Sequence, residues 1–429
     1  MLLALSVLLL VLISVGVPIL LVMGIVGLAG IVATPSLVPA MFPQKMFAML
    51  DNFSLLALPY FILAGELISA GGISQRLVVF AETVVGHWRG GLGHASVVSS
   101  MVFAGVSGSS VADTSAIGSI LVPAMKDHGY KPGFAAALVA CAGTIGAIIP
   151  PSMTMIVYGS MANVSIGGLF LGGIVPGILI GIGLMIVIAI YSRFPAFPEL
   201  RRTSGRFDTG KVLRATVNVW PTLLAPVLVV GGILSGAFTA TEAGVVACFY
   251  GFFVGFFIYR ILKLRDLPRI FIRAAVTTAM VSGIIGVAGG FGWLLSYLNF
   301  NDIVLSGITG ITGTKLGVML LLMAVMLVLT MFVDSMAILI IMIPVAVVVG
   351  RNFGIDEFQL GLMMVMATQI GSTTPPVAVL LFVATSIAGC KYNETIRYCW
   401  AFIAAEVVVL LMVVFWPDLA GWIPHYFLG

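Results

Sequence analysis

The residues best suited to bind an ion or a small ligand are concentrated in one polar stretch of an otherwise apolar chain. Residues 105–118 read GVSGSSVADTSAIG and hold four Ser, one Thr and a single carboxylate, Asp113. Hydroxyl, carboxylate and carbonyl oxygens are the ligands that hard cations accept. Gly105 and Gly108 allow the backbone to reverse sharply. We therefore interpret the stretch as an oxygen-rich turn, with the hydroxyls of Ser107, Ser109 and Ser110 at its tip.

A second motif, I-G-x-x-x-P-P, occurs twice and predicts a break in a helix each time. Its copies are IGAIIPP at 145–151 and IGSTTPP at 370–376. Tandem prolines cannot donate hydrogen bonds to the preceding turn, and their rings clash with it. Gly146 and Gly371 let the backbone unwind. We expect the carbonyls freed before each proline pair to bind a cation, and the following helix N-terminus to favour an anion.

The polar turn also has a counterpart in the second half of the chain. DTSAIGSILVP begins at Asp113 and DSMAILIIMIP begins at Asp334, a shift of 221 residues, whereas the break motif recurs at a shift of 225. Two ordered motifs thus return at nearly one spacing. A carboxylate within an apolar membrane segment is costly, so both acids are candidates for a supporting role in a site. The oxygen donors of the second turn are Thr330, Asp334 and Ser335.

The composition identifies the segments around these motifs as membrane helices. The chain has 429 residues, of which 61% are hydrophobic and 8% are charged, and its mean hydropathy is +1.20. A soluble core cannot absorb so much apolar surface, and the long apolar runs do not alternate as the strands of a barrel do. We predict an all-α polytopic membrane protein that is surrounded by the lipid bilayer.

Enzymes and metalloproteins of several classes are disfavoured by the motifs that the sequence lacks. The four cysteines form no CxxC pair, and the four histidines form no HExxH motif. Without a GxxxxGK[ST] sequence, the chain is not expected to hydrolyse nucleotides. The net charge of +4 resides in short loops, which suits membrane topology better than nucleic-acid binding. We expect no enzyme activity, no cofactor, no transition metal and no nucleic-acid partner.

The charge of the loops predicts which of them face the cytoplasm, because basic loops stay inside. Loops with a basic excess are 126–132, 193–214, 260–273 and 391–397. Loops without one, which we place outside, are 160–168 and 351–358. Residues 95–125 and 316–346 are each long for one span. We favour re-entrant hairpins over full crossings, since a crossing by 316–346 would invert the charge scheme.

The first half of the chain, residues 1–214, is predicted to form one repeat. It contains membrane helix over residues 2–33, hairpin 1 at about 95–125 and a broken helix at 133–160. Residues 76–90 suit a helix that lies at the membrane interface, with a short crossing as the alternative. The remaining helices of this half would form part of a scaffold.

The second half, residues 215–429, is predicted to repeat the first in inverted orientation. It contains scaffold helices, hairpin 2 at about 316–346 and a broken helix at 358–390. The orientation is inverted because the loop at 126–132 is basic and its counterpart is not. Inverted repeats with helices broken at corresponding positions are typical of secondary transporters and mark their binding site.

The chain resembles the large membrane subunit of tripartite ATP-independent periplasmic (TRAP) transporters, including the sialic-acid group, over essentially its whole length. The stretches that carry the resemblance are DNFSLLALPYFILAGELISAGGISQRL (51–77), GVSGSSVADTSAIGSILVPAMKDHGY (105–130), GTIGAIIPPSMTMIVYG (143–159), FVDSMAILIIMIPV (332–345) and IGSTTPPVAVLLFV (370–383). The resemblance implies an elevator-type transporter in the bacterial cytoplasmic (inner) membrane. Two hairpins and two broken helices would form its mobile domain.

The same resemblance implies partners and a coupling ion. Na⁺ influx would drive uptake of an organic acid that a soluble periplasmic binding protein delivers. A small membrane subunit of four helices would complete the complex, as a separate chain. For the substrate we favour sialic acid over a C4-dicarboxylate-like acid.

The resemblance also implies two Na⁺ sites, the only metal sites expected, with several ligands supplied by backbone carbonyls. The first would use Ser107, Ser109, Gly146, Ile149 and Pro151. The second would use Thr330, Gly371, Thr374 and Val377. The substrate would lie between them, near Ser109, Ser110, Ser372 and Thr373. Asp113 and Asp334 would support the sites.

Two other functions stay open on the sequence. A stand-alone Na⁺/dicarboxylate or citrate carrier of related architecture would need no binding protein. An ion channel is less favoured, because the sequence shows no repeated pore motif.

Overall fold

The computed structural model describes residues 1–201 and 208–428, and the regular structure within these ranges is helical. Seven of the described helices are long and apolar enough to cross a membrane. The prediction of an all-α polytopic membrane protein is therefore confirmed. The helices are α1 (Leu2–Ser14), α2 (Ile19–Val32), α3 (Met41–Leu50), α4 (Ala57–Ala70), α5 (Ile73–Val85), α6 (Gly91–Ser107), α7 (Ser110–Asp127), α8 (Pro132–Thr144), α9 (Met153–Ala162), α10 (Ile166–Tyr191), α11 (Thr209–Leu234), α12 (Ala240–Phe253), α13 (Leu267–Tyr297), α14 (Phe300–Ile311), α15 (Lys315–Thr330), α16 (Ser335–Asn352), α17 (Glu357–Gly371), α18 (Val379–Ala388), α19 (Tyr392–Phe415) and α20 (Asp418–Leu428).

Two helical hairpins and two interrupted helices occupy corresponding places in the two halves. α6 and α7 meet at 108–109, and α15 and α16 meet at 331–334. α8 gives way to α9 across 145–152, as α17 gives way to α18 across 372–378. α7 and α16 are each 18 residues long and begin 225 positions apart. α9 and α18 are each 10 residues long and begin 226 positions apart. The two halves thus share one order of helices.

Each interruption coincides with a proline pair, because proline has no N–H group to continue the helix. The pairs Pro150–Pro151 and Pro375–Pro376 are both joined by cis peptide bonds. After the first pair, Ser152 is the N-cap of α9, which begins at Met153, and the Ser152 Oγ accepts a hydrogen bond from the Met155 N–H at 3.3 Å. A side-chain oxygen in this position satisfies an N–H group that the helix start leaves free.

The two halves interlock through their hairpins and interrupted helices. α18 packs against α7 and α8, and in the reciprocal arrangement α9 packs against α16 and α17. Every residue of 133–144 in α8 and of 358–371 in α17 is buried. The helices that lead into the two breaks are therefore the centre of the fold.

The remaining helices surround this centre and present apolar side chains outwards. α4 packs against α12, α5 against α11, and α13 against α2 and α3. Leu213, Val217 and Trp220 of α11 and Ile272 and Val276 of α13 are all more than half exposed. Such faces suit contact with lipid or with another membrane helix.

The N-terminal segment, expected to be membrane helix over 2–33, is divided into α1 and α2. Gly16 has a left-handed φ of +85°, and Pro18 provides no N–H group to the preceding turn. The helix therefore ends at Ser14 and restarts at Ile19. In the basic loop 193–214, Arg202 and Arg206 lie outside the described residues.

Candidate functional site

The first hairpin tip meets the first break through the carboxylate of Asp113. This side chain is fully buried, and its Oδ1 accepts a hydrogen bond from Ser107 Oγ. Its Oδ2 has no donor among the described residues. A Cβ added to Gly146 would lie 2.2 Å from that oxygen, so glycine is required for this approach. The structure thus brings Ser107 and Gly146 of the first predicted ion site together, with Asp113 between them.

Backbone hydrogen bonds join tip and break in both halves. The Met153 N–H donates to the Gly108 carbonyl, and the Val377 N–H donates to the Met331 carbonyl, each at 3.2 Å. In the first tip, Ser109 is the N-cap of α7, and its Oγ accepts from the Ala112 N–H at 3.4 Å. Each tip and its break therefore form one structural unit.

The first break leaves carbonyl oxygens available for a cation. The Ala147 carbonyl accepts hydrogen bonds from the Ser152 and Thr154 hydroxyls. No described backbone N–H donates to the carbonyls of Ile149 and Pro151. The Ile149 side chain packs against Gly177 of α10. This residue can therefore contribute only its carbonyl oxygen to the predicted site.

Thr330 and Gly371 are in direct contact at the centre of the second predicted ion site. A Cβ added to Gly371 would lie 1.8 Å from Thr330 Oγ1. That hydroxyl donates to the Met326 carbonyl at 2.7 Å, and the Thr374 hydroxyl donates to the Ile370 carbonyl at 2.7 Å. Each hydroxyl oxygen keeps acceptor capacity for a cation.

Tyr392, which the sequence reasoning missed, caps the second break. Its Oη donates to the Pro376 carbonyl at 2.9 Å and lies 3.2 Å from the Val377 carbonyl. Its ring stacks on Phe382 with the centroids 4.5 Å apart. Because a carbonyl oxygen has two lone pairs, Val377 can still bind a cation.

The two predicted acids have different structural roles. Asp334 is exposed and caps α16, its Oδ1 accepting from the Met336 and Ala337 N–H groups at 3.0 and 3.1 Å. Asp113 instead lies within the first turn of α7. Because α7 and α16 begin 225 positions apart, the counterpart of Asp334 is the N-cap Ser109. The 221-residue sequence match therefore aligns residues that lie one helical turn apart.

A cavity of about 620 Å³ lies between the two hairpin tips. Apolar residues of α2 and α13 form one side, and the described lining includes neither Lys nor Arg. Its polar lining residues are Ser109, Ser110, Thr154, Thr277, Asp334, Ser335 and Gln369. A cavity of this size suits a small organic ligand.

Three helix N-termini meet at this cavity. Ser110, Met153 and Ser335, the first residues of α7, α9 and α16, all line it. The N-terminus of a helix carries a partial positive charge and free N–H groups, which favour an anion. The cavity can therefore attract a carboxylate without a basic side chain.

Of the four residues predicted to contact substrate, Ser109 and Ser110 line the cavity, whereas Ser372 and Thr373 do not. The Ser372 hydroxyl donates to the Gln369 carbonyl at 2.6 Å and the Thr373 hydroxyl to the Ile370 carbonyl at 2.8 Å. Both side chains are buried against their own turn.

Gln369 links the two halves and was not predicted from the sequence. Ser110 Oγ donates to Gln369 Oε1 at 2.6 Å across 259 residues of sequence. The residue that precedes the I-G motif of the first half, Thr144, likewise makes a long-range bond, to Glu406 Oε1 at 2.8 Å. Glu406 is fully buried in α19. In the sequence, Thr144 and Gln369 each stand directly before an I-G motif. A polar residue in that position is the sequence feature that could have indicated these two long-range contacts.

The sequence that forms the paired breaks and hairpins matches a known family. The family model "Tripartite ATP-independent periplasmic transporter, DctM component" matches residues 6–419. The chain belongs to this family. The resemblance to TRAP large membrane subunits is therefore confirmed.

Similar proteins support this membership in the DctM family. The chain is 37% identical to the C4-dicarboxylate TRAP transporter large permease protein DctM of Pseudomonas aeruginosa, covering 89% of this chain and 88% of that one. It is 33% identical to the sialic acid TRAP transporter large permease protein SiaM of Vibrio cholerae, covering 94% of each. It is 37% identical to the isethionate TRAP transporter permease protein DctMQ of Oleidesulfovibrio alaskensis, covering 97% of this chain but only 64% of that protein. These relatives are named as permeases rather than enzymes.

Solved structures show that this DctM-family fold is shared by other transporters. The YdaH transporter of Alcanivorax borkumensis superposes with a TM-score of 0.64 at 12% identity, covering 89% of this chain and 88% of that one. MtrF of Neisseria gonorrhoeae gives a TM-score of 0.57 at 12% identity, covering 87% and 83%. At this identity the likeness concerns the fold alone.

Proposed function

We propose that the chain is the large membrane subunit of a Na⁺-coupled TRAP transporter that imports an organic acid across the bacterial inner membrane. A periplasmic binding protein would deliver the substrate, and a small membrane subunit would complete the complex. Membership in the DctM family supports this assignment. The structural observation that most directly supports the proposed function is the cavity at which α7, α9 and α16 begin.

The organic acid would bind in this cavity with its acidic group towards the starts of α7 and α9. The relatives named above act on C4-dicarboxylates, sialic acid and isethionate, all of which carry an acidic group. Asp334 also lines the cavity, but its charge is partly neutralised by two backbone N–H groups. The Ser109 and Ser110 hydroxyls would bind the polar remainder of the substrate, with sialic acid or a C4-dicarboxylate as candidates.

Two Na⁺ ions would bind where each tip meets its break. In the first site the ligands would be Ser107, Ser109 and the backbone of Gly146, Ile149 and Pro151. In the second they would be Thr330 and Thr374, with the backbone of Gly371 and Val377. Binding at these positions would draw tip and break together on either side of the cavity, so ion occupancy and substrate affinity would rise together.

The hairpins and broken helices would move together as an elevator within the scaffold. The burial of residues 133–144 of α8 and 358–371 of α17 and the reciprocal packing of α9 and α18 favour motion as one body. The Ser110–Gln369 hydrogen bond would keep the first hairpin tip in register with the end of α17 during that motion. The halves 1–214 and 215–429 would each supply one hairpin and one broken helix.

Reconstitution tests this function. The chain is placed in proteoliposomes with its small subunit, a Na⁺ gradient and labelled sialic acid or C4-dicarboxylate, with and without the binding protein. We expect saturable uptake only when all three proteins are present. Uptake by this chain alone would identify a stand-alone carrier, and non-saturating conductance would identify a channel; either result would overturn the proposal.

A further inference from the structure

A groove outside the proposed transport site opens where the turn after α5 meets the last turns of α10. Its volume is about 570 Å³. From the turn and the start of α6 it is lined by Trp88, Arg89 and His94. From α10 and the two residues that follow it, the groove is lined by Ile182, Met185, Ile186, Ala189, Ser192 and Arg193. The spacing of the α10 residues places them along a single face of that helix.

The groove is apolar at one end and basic at the other. Ile182 and Ile186 are 45% and 54% exposed, as expected of side chains that face lipid. Arg193 lies two residues after the end of α10 and lines the groove together with Arg89. Residues 182 and 193 are separated by about 16 Å along a helix, which is roughly half of a hydrocarbon core that is about 30 Å thick. The groove is therefore long enough to extend through one leaflet.

Two side chains at the basic end, those of His94 and Arg89, retain polar groups that could bind a ligand. His94 is 3% exposed and lines the groove, and its Nδ1 has no partner among the described residues. Arg89 makes no ion pair with any described residue. The Trp88 ring lies 5.4 Å from the His94 ring, and tryptophan is enriched at membrane–water interfaces. Arg193 opens the basic loop that we place in the cytoplasm.

We propose that this groove binds one phosphatidylglycerol molecule of the cytoplasmic leaflet. Its phosphate would accept hydrogen bonds from Arg89 and Arg193, and a headgroup hydroxyl would donate to His94 Nδ1. One acyl chain would lie along Ile182 and Ile186. The length and apolar lining match a lipid rather than a free phosphate, which would occupy only the basic end.

Thermal stability in the presence of defined lipids tests this site on the purified full chain. Phosphatidylglycerol should raise the melting temperature, because a ligand that binds only the folded state stabilises it. Phosphatidylcholine and inorganic phosphate should not. Arg89→Gln should remove at least half of this increase in melting temperature. Ala189→Trp places a large side chain in the groove and should remove nearly all of the increase. The control Arg265→Gln removes the same charge from an exposed position and should keep the full increase.

Native mass spectrometry of the same variants provides a second measurement that does not depend on their stability. One phosphatidylglycerol should be retained by the parent chain and by Arg265→Gln, retained less by Arg89→Gln, and lost from Ala189→Trp. Equal retention by all variants would overturn the site, as would an equal thermal effect of inorganic phosphate. Complete displacement of the lipid when the small membrane subunit binds would identify a protein as the occupant and would also overturn it.

Discussion

Replacing Gly371 by alanine is expected to weaken Na⁺ binding at the second break while the protein stays folded. The new Cβ would lie 1.8 Å from Thr330 Oγ1 and 2.8 Å from Thr330 Cβ. It would also lie 2.9 Å from the Leu327 carbonyl. Because one neighbour is backbone and the other is a short buried side chain, the hairpin tip must shift away from the break. That shift would separate the oxygen atoms that we assign to the ion.

The size of the effect follows from the cost of overpacking. Inserting a methyl group into a packed site costs about 1–3 kcal/mol. If the bound state bears this cost, Na⁺ affinity falls by roughly 5- to 150-fold. The control is Gly231→Ala, at an exposed helical position where an added Cβ meets no atom within 4 Å. Alanine there should change stability by no more than about 1 kcal/mol and leave Na⁺ binding unchanged.

The assay is the increase in melting temperature of the purified chain when Na⁺ replaces K⁺, titrated to give an apparent affinity. Melting in K⁺ alone reports whether each variant is folded. Thr330→Val keeps the shape of the side chain and removes its oxygen, so it should also weaken Na⁺ binding even if Gly371→Ala does not fold. If Gly371→Ala and Thr330→Val both bound Na⁺ as tightly as the parent protein, the assignment of the second site would be refuted.

Substitutions at three further contacts provide additional tests. Ser110→Ala and Gln369→Leu should each reduce uptake by the reconstituted complex, and the double variant should be no worse than the poorer single one. Both remove the same hydrogen bond, worth about 0.5–1.5 kcal/mol, so additive losses would contradict this. Asp334→Ala should destabilise the protein by about 1 kcal/mol through loss of the α16 N-cap, whereas Asp334→Asn should melt as the parent does; equal melting of the two would count against the cap. Glu406→Gln should retain uptake because the amide still reaches the Thr144 hydroxyl, whereas Glu406→Ala should destabilise by about 2 kcal/mol or more through the cavity left behind; similar melting of these two would contradict the contact.

The breaks were predictable from sequence because their cause is local. Pro150–Pro151 and Pro375–Pro376 remove hydrogen-bond donors wherever they occur in a helix, and the structure interrupts its helices at both pairs. The oxygen-rich turn was predictable for the same reason, since Gly108 adopts a left-handed φ of +66° and Ser109 caps the next helix.

Contacts between the halves were not predictable, because they depend on how separate helices pack. Asp113 and Asp334 match in sequence, yet the helices that carry them start 225 positions apart, so the acids lie one turn out of register. The bond from Ser110 to Gln369 depends on the packing of one half against the other. The meeting of three helix N-termini at one cavity is likewise a property of the assembled fold.

We propose that Na⁺ bound at the two breaks drives the uptake of an organic acid. The most direct measurement is initial uptake by the complete reconstituted complex, with an inward Na⁺ gradient compared with an equal K⁺ gradient. We predict concentrative uptake with Na⁺, and uptake near background with K⁺. Equal uptake under the two gradients would show that Na⁺ does not drive transport.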